Sequence, residues 1–296
     1  MTATSTCVSE TGALVDVLLK HARDAFVSQA AIAREWRDLH FTAPPDYARA
    51  IDEYDAFADI LEAAGATVRW LPAVDGVGLD SIYVRDACVM SEQGVVLCRM
   101  GKRQRGGEPR AQRDALEAQG VRIAGAIEAP GQIEGGDVVW LDPRTVAVGR
   151  GYRTNAEGIA RYRRLLGDAI DTLIEVPLPH WRGPGDVFHL MSIFSPVDVD
   201  LAVVYSPLMP VPFRDALLER GVSLVEVPDE EFDTMGANVL AVGPRRCVII
   251  DGNPRTRMRL EAAGAEVFVY EGTEISLKGG GGPTCLTRPL ERQVES

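Results

Sequence analysis

The sequence predicts an α/β protein in which one unit of about fifty residues is repeated around a closed ring. Three observations support this fold class. Four segments share the order strand, turn, strand, helix, strand. Polar residues with distinctive chemistry recur at nearly constant spacing. The two ends of the chain supply complementary parts of a fifth unit, so that the ring closes.

In each complete unit, a short strand turns back into a second apolar strand, and a helix then leads to a closing strand rich in valine or isoleucine. The predicted opening strands lie at residues 81–90, 133–141, 187–190 and 237–242. The predicted return strands lie at residues 94–100, 145–148, 201–205 and 247–250. The predicted helices lie at residues 109–119, 155–166, 212–220 and 255–263. The predicted closing strands lie at residues 121–123, 172–176, 223–227 and 266–270.

The fifth unit is assembled from both termini. A strand around residues 284–287 is expected to pair with residues 14–19, and a helix at 46–64 and a strand at 67–71 complete the unit. Closure of this kind removes exposed sheet edges. Length alone would allow two domains, but a closed ring makes residues 1–296 a single domain.

Polar residues occupy equivalent positions in the five units. The intervals between Asp86, Asp137, His189, Asn238 and Cys285 are 51, 52, 49 and 47 residues. Equivalent positions of a circular repeat converge on its axis, so we expect these five side chains to surround one cavity. The alternative is coincidence, because every α/β protein alternates strands and helices.

The candidate nucleophile is Cys285, which follows four consecutive glycines at residues 279–282. Glycine loses the most backbone freedom on ordering, so such a run indicates close approach of the backbone to another group, or a moving lid. A thiolate needs a nearby base or a depressed pKa, and His189 is the best-placed base. The other histidines lie near the N-terminus or in a predicted loop: His21, His40 and His180.

Several carboxylates are expected to face the same cavity. Glu134 and Asp137 flank two glycines, and Asp80 and Asp86 flank the first opening strand. Buried carboxylates are costly unless they are paired or meet a cation. A guanidinium suits them, because it is planar, permanently charged and binds carboxylates with two hydrogen bonds. Arg153, after the second hairpin, could bind a substrate carboxylate or stabilise the helix behind it.

Composition and charge indicate which kinds of molecule the protein can bind. With 43 acidic and 31 basic residues the net charge is −12, which disfavours nucleic acid and anionic membranes and favours cationic ligands. Cys88, Cys98 and Cys247 lie in apolar runs and are expected in the core of a protein in a reducing compartment. There is no signal-like start and no apolar run of the ~18 residues that a membrane span needs. We therefore expect a cytoplasmic protein with no cofactor and no metal ion.

At these positions the chain resembles the guanidino-modifying enzymes, namely arginine deiminases, dimethylargininases and arginine amidinotransferases. Six motifs occur in the family's order, and the size and spacing of two of them look closest to dimethylargininases. The motifs are residues 84–87, 134–137, 153–158, 189–192, 237–240 and 282–285. The resemblance implies the pentein fold, a five-bladed α/β propeller of ββαβ units around a central active site.

The resemblance also implies roles for individual residues. Cys285 would attack the guanidinium carbon and form a thiouronium intermediate, and His189 would protonate the departing amine and then activate water. Glu134 would orient His189 or bind a guanidinium nitrogen. Asp86 would bind the guanidinium, and Asp80 is a second candidate for this.

The substrate α-carboxylate would be bound by Arg153 with either Arg103 or Arg105. Asp137 is also placed among the substrate-binding residues. The segment 21–45 is expected to include a lid. Whether the chain forms a homodimer is left open.

The resemblance has two departures. Arginine deiminases carry an acid where this chain has Met191, and dimethylargininases tend to carry one where it has Arg85. The expected activity is hydrolysis of arginine or an N-methylated arginine to citrulline and ammonia or a methylamine. Alternatives of the same superfamily are double hydrolysis to ornithine and amidino transfer.

Two other classes of protein share some of these features. A non-catalytic propeller that binds a protein would not need a cysteine, a histidine and acids in register. A papain-like amidase would place its cysteine on a helix well before the histidine, whereas here Cys285 follows His189.

Overall fold

The computed structural model describes residues 3–6, 8–186 and 188–295. Val187, the first residue of the third predicted opening strand, and Cys7, the fifth cysteine of the chain, lie outside the described residues. Across the described ranges the strands form five small sheets, four with three strands and one with four. The prediction of five repeated α/β units is therefore confirmed.

The strands are numbered along the chain. They are β1 (Ala3–Thr6), β2 (Ala13–Leu19), β3 (Thr67–Trp70), β4 (Cys88–Ser91), β5 (Gly94–Leu97), β6 (Ile123–Ala126), β7 (Val138–Asp142), β8 (Thr145–Arg150), β9 (Thr172–Pro177), β10 (Phe194–Asp198), β11 (Leu201–Val204), β12 (Ser223–Glu226), β13 (Leu240–Gly243), β14 (Arg246–Ile250), β15 (Glu266–Tyr270) and β16 (Arg288–Glu295).

The α-helices are numbered in the same way. They are α1 (Ala22–Phe26), α2 (Gln29–Glu35), α3 (Tyr47–Ala63), α4 (Glu108–Ala118), α5 (Ala156–Leu166), α6 (Val211–Glu219), α7 (Asp229–Phe232) and α8 (Pro254–Ala262). None of the helices in the described part of the chain has the length and apolar character required to span a bilayer.

The second unit shows how each blade is built. β7 and β8 form an antiparallel hairpin, and β9 returns parallel to β8 after helix α5. The side chain of Asn155 caps α5 by accepting a hydrogen bond from the backbone N–H of Gly158. Ile159, Tyr162 and Leu166 lie on one face of α5 and are buried against the sheet.

Both termini build the fifth unit, as predicted. β16 pairs antiparallel with β2, β2 pairs parallel with β3, and β1 adds an outer edge strand beside β16. The predicted strand at 284–287 is wrong, however, because the strand begins only at Arg288. The N–H groups of Cys285 and Leu286 both donate to the carbonyl of Gly282, so these residues form a turn.

The opening strands of the other units also begin later than predicted. Asp86 lies in a 3₁₀ turn before β4, and Asp137 lies in another before β7. The third opening strand, predicted at 187–190, is β10 instead, and His189 precedes a 3₁₀ turn formed by residues 190–192. Hydrogen bonds between nearby backbone groups close these turns; for example, the N–H of Ser192 donates to the carbonyl of His189 at 3.0 Å. Because these groups bond within the turn, the backbone does not pair with a neighbouring strand there.

Candidate active site

The polar turns of the first three units meet at the axis of the ring around His189. Its Nε2 lies 2.8 Å from Oε2 of Glu134, and its Nδ1 lies 3.8 Å from Oδ1 of Asp86. All three side chains are almost fully buried. Burial opposes the charged imidazolium, but Asp86, Asp137 and Glu134 together raise the pKa of His189 to about 9. At neutral pH His189 is therefore a proton donor.

Glu134 is held from several directions. Its Oε1 accepts hydrogen bonds from the backbone N–H groups of Gly101 at 2.9 Å and Lys102 at 3.1 Å. Its Oε2 accepts from Arg153 at 3.0 Å. Burial works against ionisation, but the bond from His189 and the charge of Arg153 hold the pKa of Glu134 well below its usual range. Glu134 thus fixes the orientation of the imidazole.

Asp137 supports the turn beside His189. Its Oδ1 accepts from the backbone N–H of Leu190 at 2.9 Å, and its Oδ2 accepts from the hydroxyl of Thr154 at 2.6 Å. Burial raises its pKa to about 6. Asp137 is fully buried and lines neither the cavity of Cys285 and His189 nor the smaller cavity beside it, so its contacts are those of a positioning residue.

Asp86 is bonded to a buried arginine. Its Oδ2 accepts from Nη1 of Arg105 at 2.5 Å, and its Oδ1 accepts from the backbone N–H of Gly136 at 3.0 Å. The other nitrogens of Arg105 donate to both oxygens of Glu108 and to the carbonyls of Asp80 and Tyr83. Burial disfavours the charged form of Asp86, but His189 and Arg105 lower its pKa. Asp86 is therefore ionised and can attract a cation.

Asp80 pairs with a residue that the sequence did not single out. Its Oδ2 lies 2.5 Å from Nζ of Lys102, which also donates to the carbonyl of Leu39 at 2.7 Å. Leu39 belongs to the segment expected to include a lid. Lys102 therefore joins that segment to the acids of the site.

Cys285 opens onto the same space as His189. Both line a cavity of about 230 Å³, which is small beside typical drug-binding pockets of roughly 300–1,000 Å³. The thiol accepts a hydrogen bond from Nδ2 of Asn238 at 3.6 Å. Burial, and then the charge of Asp86, raise the pKa of Cys285 to about 11. The free thiol is therefore protonated at neutral pH, and a cation beside it would favour the thiolate.

The glycine run before Cys285 permits close packing. A Cβ added at Gly279 would lie 1.9 Å from the hydroxyl of Tyr83, and one at Gly282 would lie 2.4 Å from Oδ1 of Asn238. The prediction of close backbone approach is confirmed. The run also lines both cavities at the site.

Some of the predicted site residues line a cavity, others are fully buried, and one is exposed. Asp80, Asp86, Arg105 and Arg153 line a second, very small cavity together with Cys285 and Lys102. Glu134 and Asp137 lie behind it and are fully buried. Arg103 is exposed, so of the two alternatives it is Arg105 that lies beside the site.

Sequence reasoning missed the contributions of Lys102 and Thr154. Lys102 immediately precedes the two alternative arginines, Arg103 and Arg105, and Thr154 lies in the motif at residues 153–158. Among the described residues, Asp86, Glu134 and His189 could also offer ligand atoms to a metal ion, since these atoms lie within 4.8 Å of one another. Arg105 and Arg153 already neutralise the two carboxylates, so a metal ion would have to compete with them.

The ring of five blades, with a cysteine, a histidine and carboxylates at its axis, is that of the guanidino-modifying enzymes. Two solved structures share the fold. One is the dimethylarginine dimethylaminohydrolase of Pseudomonas aeruginosa, as a mutant complexed with citrulline, at a TM-score of 0.74 and 21% identity over 95% of this chain and 100% of that one. The other is the amidinotransferase SxtG of Microseira wollei, at 0.78 and 18% over 96% of each chain.

The family model for eukaryotic N,N dimethylarginine dimethylhydrolases matches residues 32–292. The chain belongs to this family.

Two further proteins are similar to this chain in sequence. The uncharacterized protein YkgA of Bacillus subtilis is 29% identical over 81% of this chain and 80% of its own length. The arginine deiminase of Mycobacterium avium is 29% identical over 71% of this chain, which spans 60% of the length of that relative.

Proposed function

We propose that the protein is a cysteine-dependent hydrolase of a guanidinium compound such as arginine or an N-methylated arginine. The products would be citrulline and ammonia or a methylamine. The observation that carries the proposal is the opening of Cys285 and His189 onto one cavity, with the ionised Asp86 beside the thiol. Membership of the dimethylarginine dimethylhydrolase family and the similarity to an arginine deiminase support amidine C–N hydrolysis.

In the first half-reaction, the positive charge of the bound guanidinium favours loss of the thiol proton of Cys285 to solvent. The thiolate then attacks the central carbon and forms a C–S bond. His189 donates its proton to the departing amine as the C–N bond breaks. The product of this step is a thiouronium cation on Cys285.

In the second half-reaction, the neutral His189 accepts a proton from a water molecule that attacks the thiouronium carbon. The C–S bond breaks, the second proton of the water passes to solvent, and the thiolate of Cys285 is restored. The carbonyl product leaves the cavity. Glu134 stabilises the charged imidazole in the first half-reaction and keeps its ring oriented in the second.

We assign roles in substrate binding according to which side chains still have hydrogen-bond donors that are not used within the protein. Arg105 already donates to Asp86, Glu108 and two carbonyls, so we assign it to positioning Asp86. Arg153 makes one side-chain bond, to Glu134, and lines the small cavity. Arg153 is therefore our candidate for binding a substrate carboxylate.

The proposal is tested by incubating the purified protein with arginine, the methylarginines, agmatine and other guanidino acids. Citrulline, ornithine, ureas and amines are measured by mass spectrometry. We expect consumption of at least one guanidine and a covalent adduct on Cys285. If no guanidine is consumed and none labels Cys285, the proposal is wrong.

Variants separate catalysis from folding. Cys285→Ser and His189→Ala should lose turnover while retaining the far-UV spectrum of the parent. Cys247→Ala is the matched control, because Cys247 is also a buried cysteine but does not line the cavity. Unchanged turnover in Cys285→Ser would contradict the proposal.

Amidino transfer is the second candidate, favoured by the shared fold with SxtG. Adding a primary amine to the assay distinguishes the two. A hydrolase yields the ureido product at an unchanged rate, whereas a transferase yields a new guanidine at the expense of the ureido product.

A further inference from the structure

Asn238 occupies the fourth of the five equivalent positions at the axis, and the reaction proposed above gives it no part. Its side chain is buried and lines the cavity onto which Cys285 and His189 open. Its backbone N–H donates to the carbonyl of Met235 at 3.0 Å, so the residue is held in a turn before β13. Its amide contacts the candidate nucleophile, because Nδ2 lies 3.6 Å from Sγ of Cys285.

The orientation of this amide is fixed by Thr284. Oδ1 of Asn238 accepts hydrogen bonds from the backbone N–H of Thr284 at 3.0 Å and from its hydroxyl at 2.9 Å. A backbone N–H can only donate, so the amide atom that faces it must be the oxygen. The NH₂ end of the amide therefore faces the sulfur, and a reversed amide would leave the buried N–H of Thr284 without its acceptor.

The turn that carries Cys285 is shaped around the same amide. A Cβ added at Gly282 would meet Oδ1, Cγ and Cβ of Asn238 at 2.4, 2.6 and 2.8 Å, so the close packing requires a glycine there. The carbonyl of Gly282 accepts a hydrogen bond from the backbone N–H of Cys285 at 3.0 Å. The amide and the thiol are thus held against each other by this turn and by the hydrogen bonds of Thr284.

An amide in this position can stabilise negative charge on the sulfur. An N–H···S hydrogen bond becomes stronger when the thiol ionises, because the acceptor then carries a full charge. The hydroxyl of Thr284 lies 3.9 Å from Sγ, but its proton is directed to the nearer Oδ1 of Asn238. Burial, and then the charge of Asp86, raise the pKa of the thiol, so a donor at the sulfur offsets an unfavourable ionisation.

We infer that Asn238 is a further catalytic residue, whose amide directs Sγ of Cys285 toward the cavity and stabilises the thiolate as it forms. The inference rests on the proposed role of Cys285 as nucleophile. It does not depend on which guanidine is the substrate, because the amide contacts the sulfur itself.

The test is the pH dependence of alkylation of Cys285 by iodoacetamide, followed on the Cys285 peptide by mass spectrometry with no substrate present. The thiolate displaces iodide and forms a C–S bond, so the rate reports the fraction of thiolate. Asn238→Asp keeps an acceptor for Thr284 and replaces the donor by an oxygen. We expect its thiol pKa to rise and its alkylation at neutral pH to be roughly ten-fold slower than in the parent. Asn238→Ala loses the donor without gaining a charge, so its thiol pKa should rise less.

Asn155→Asp is the matched control. Oδ1 of Asn155 also accepts from backbone N–H groups, those of Gln132 at 2.9 Å and Gly158 at 2.8 Å, and its Nδ2 donates to the carbonyl of Pro130 at 3.0 Å. Asn155 lines neither of the cavities beside Cys285, and aspartate is well suited to capping α5. The same change from amide to carboxylate should therefore leave the pH profile of Cys285 unchanged.

The other charged and titratable groups around the thiol are the same in the parent and in these variants. Those that line the small cavity are Asp80, Tyr83, Asp86, Lys102, Arg105 and Arg153. Those that line the larger cavity are His40, Arg182, Asp186, His189, Asp233 and Lys278. Arg85 adjoins the turn, since its backbone N–H donates to the carbonyl of Cys285 at 3.2 Å. A difference in thiol pKa between the parent and Asn238→Asp is therefore due to the exchange of the amide for a carboxylate.

A structural role that needs only the acceptor predicts that Asn238→Asp behaves like the parent. An unchanged or lowered thiol pKa in the folded Asn238→Asp variant overturns the inference. If this variant does not fold, an unchanged thiol pKa in Asn238→Ala overturns it instead. Because the readout needs no turnover, a protein that hydrolyses no guanidine could still show the shift. Failure of the proposed function is thus distinguishable from failure of this inference.

Discussion

Buried charges set the protonation states of His189 and Cys285. His189 lies among Asp86, Glu134 and Asp137, and each of these carboxylates is fixed by at least one further hydrogen bond. Burial would keep an isolated histidine neutral, but three acids outweigh it. Burial and the charge of Asp86 work against ionisation of Cys285, so the resting site holds a charged imidazole and a neutral thiol until a cation arrives.

The raised pKa of His189 makes folding stability depend on pH. A group whose folded pKa lies above its unfolded value stabilises the fold fully below the unfolded pKa, and this contribution is lost as the pH rises through the folded pKa. With values of 6.5 and about 9, the loss falls between these pH values and amounts to about 3 kcal/mol. This loss of folding stability should be measurable by urea unfolding of the parent at a series of pH values, and it should be absent in His189→Gln.

The exposed His40 provides the control for that measurement. His40→Gln should follow the parent across the same pH range. If the parent and His189→Gln lose stability in parallel between pH 6.5 and 9, the folded pKa of His189 is not raised.

At the scale of elements, the site is built from turns rather than from strands. Each opening strand begins after its polar residue. Asp86 and Asp137 lie in 3₁₀ turns and His189 immediately precedes one, whereas Asn238 and Cys285 lie in other non-strand segments before β13 and β16. Gly136 shows how tightly these turns pack, because an added Cβ would lie 2.5 Å from Nδ1 of His189 and 2.9 Å from Oδ1 of Asp86. The glycine is therefore required by its neighbours.

Gly136→Ala should displace His189 and reduce turnover of whichever guanidine is consumed by about 100-fold. Melting temperature and kcat are measured together. Gly185→Ala is the control, because Gly185 lines the same cavity as His189 but an added Cβ there meets nothing within 4 Å. Full turnover in Gly136→Ala would show that the imidazole position is not limiting.

At the scale of the whole molecule, both termini are needed to complete one blade. β16 lies between β1 and β2, so the last strand of the chain is an interior strand of its sheet. Arg288 and Arg292 of β16 are buried, and they donate hydrogen bonds to the backbone carbonyls of Arg85, Gly12 and Ala241. We propose that residues 1–296 form one domain that folds as a unit.

That proposal predicts a single unfolding transition. Tryptophan fluorescence and far-UV circular dichroism should give coincident denaturant curves, because Trp70 and Trp140 lie in different blades. Deleting residues 288–296 should abolish the transition, whereas deleting residues 1–6 removes only an edge strand and should shift its midpoint modestly. Separate transitions for the two probes would contradict a single domain.

The number of blades, their closure by both termini and the positions that meet at the axis could all be predicted from the sequence. These features depend on local patterns: apolar periodicity, turn residues, and polar residues spaced by one unit. Asp86, His189 and Cys285 were found in this way. The predicted starts of the opening strands were too early, because local hydrogen bonds close turns at the polar residues and the apolar pattern does not reveal them.

Only the tertiary structure decided how the charges are paired. Arg105 binds Asp86 and Glu108, Lys102 binds Asp80, and Arg85 turns away to reach Glu10, 75 residues distant in sequence. Ion pairs depend on which side chains the folded backbone brings within a few ångströms, and spacing along the chain does not encode this. The sequence by itself therefore determined the ring and the residues at its axis, and the folded structure determined which of them are free to act.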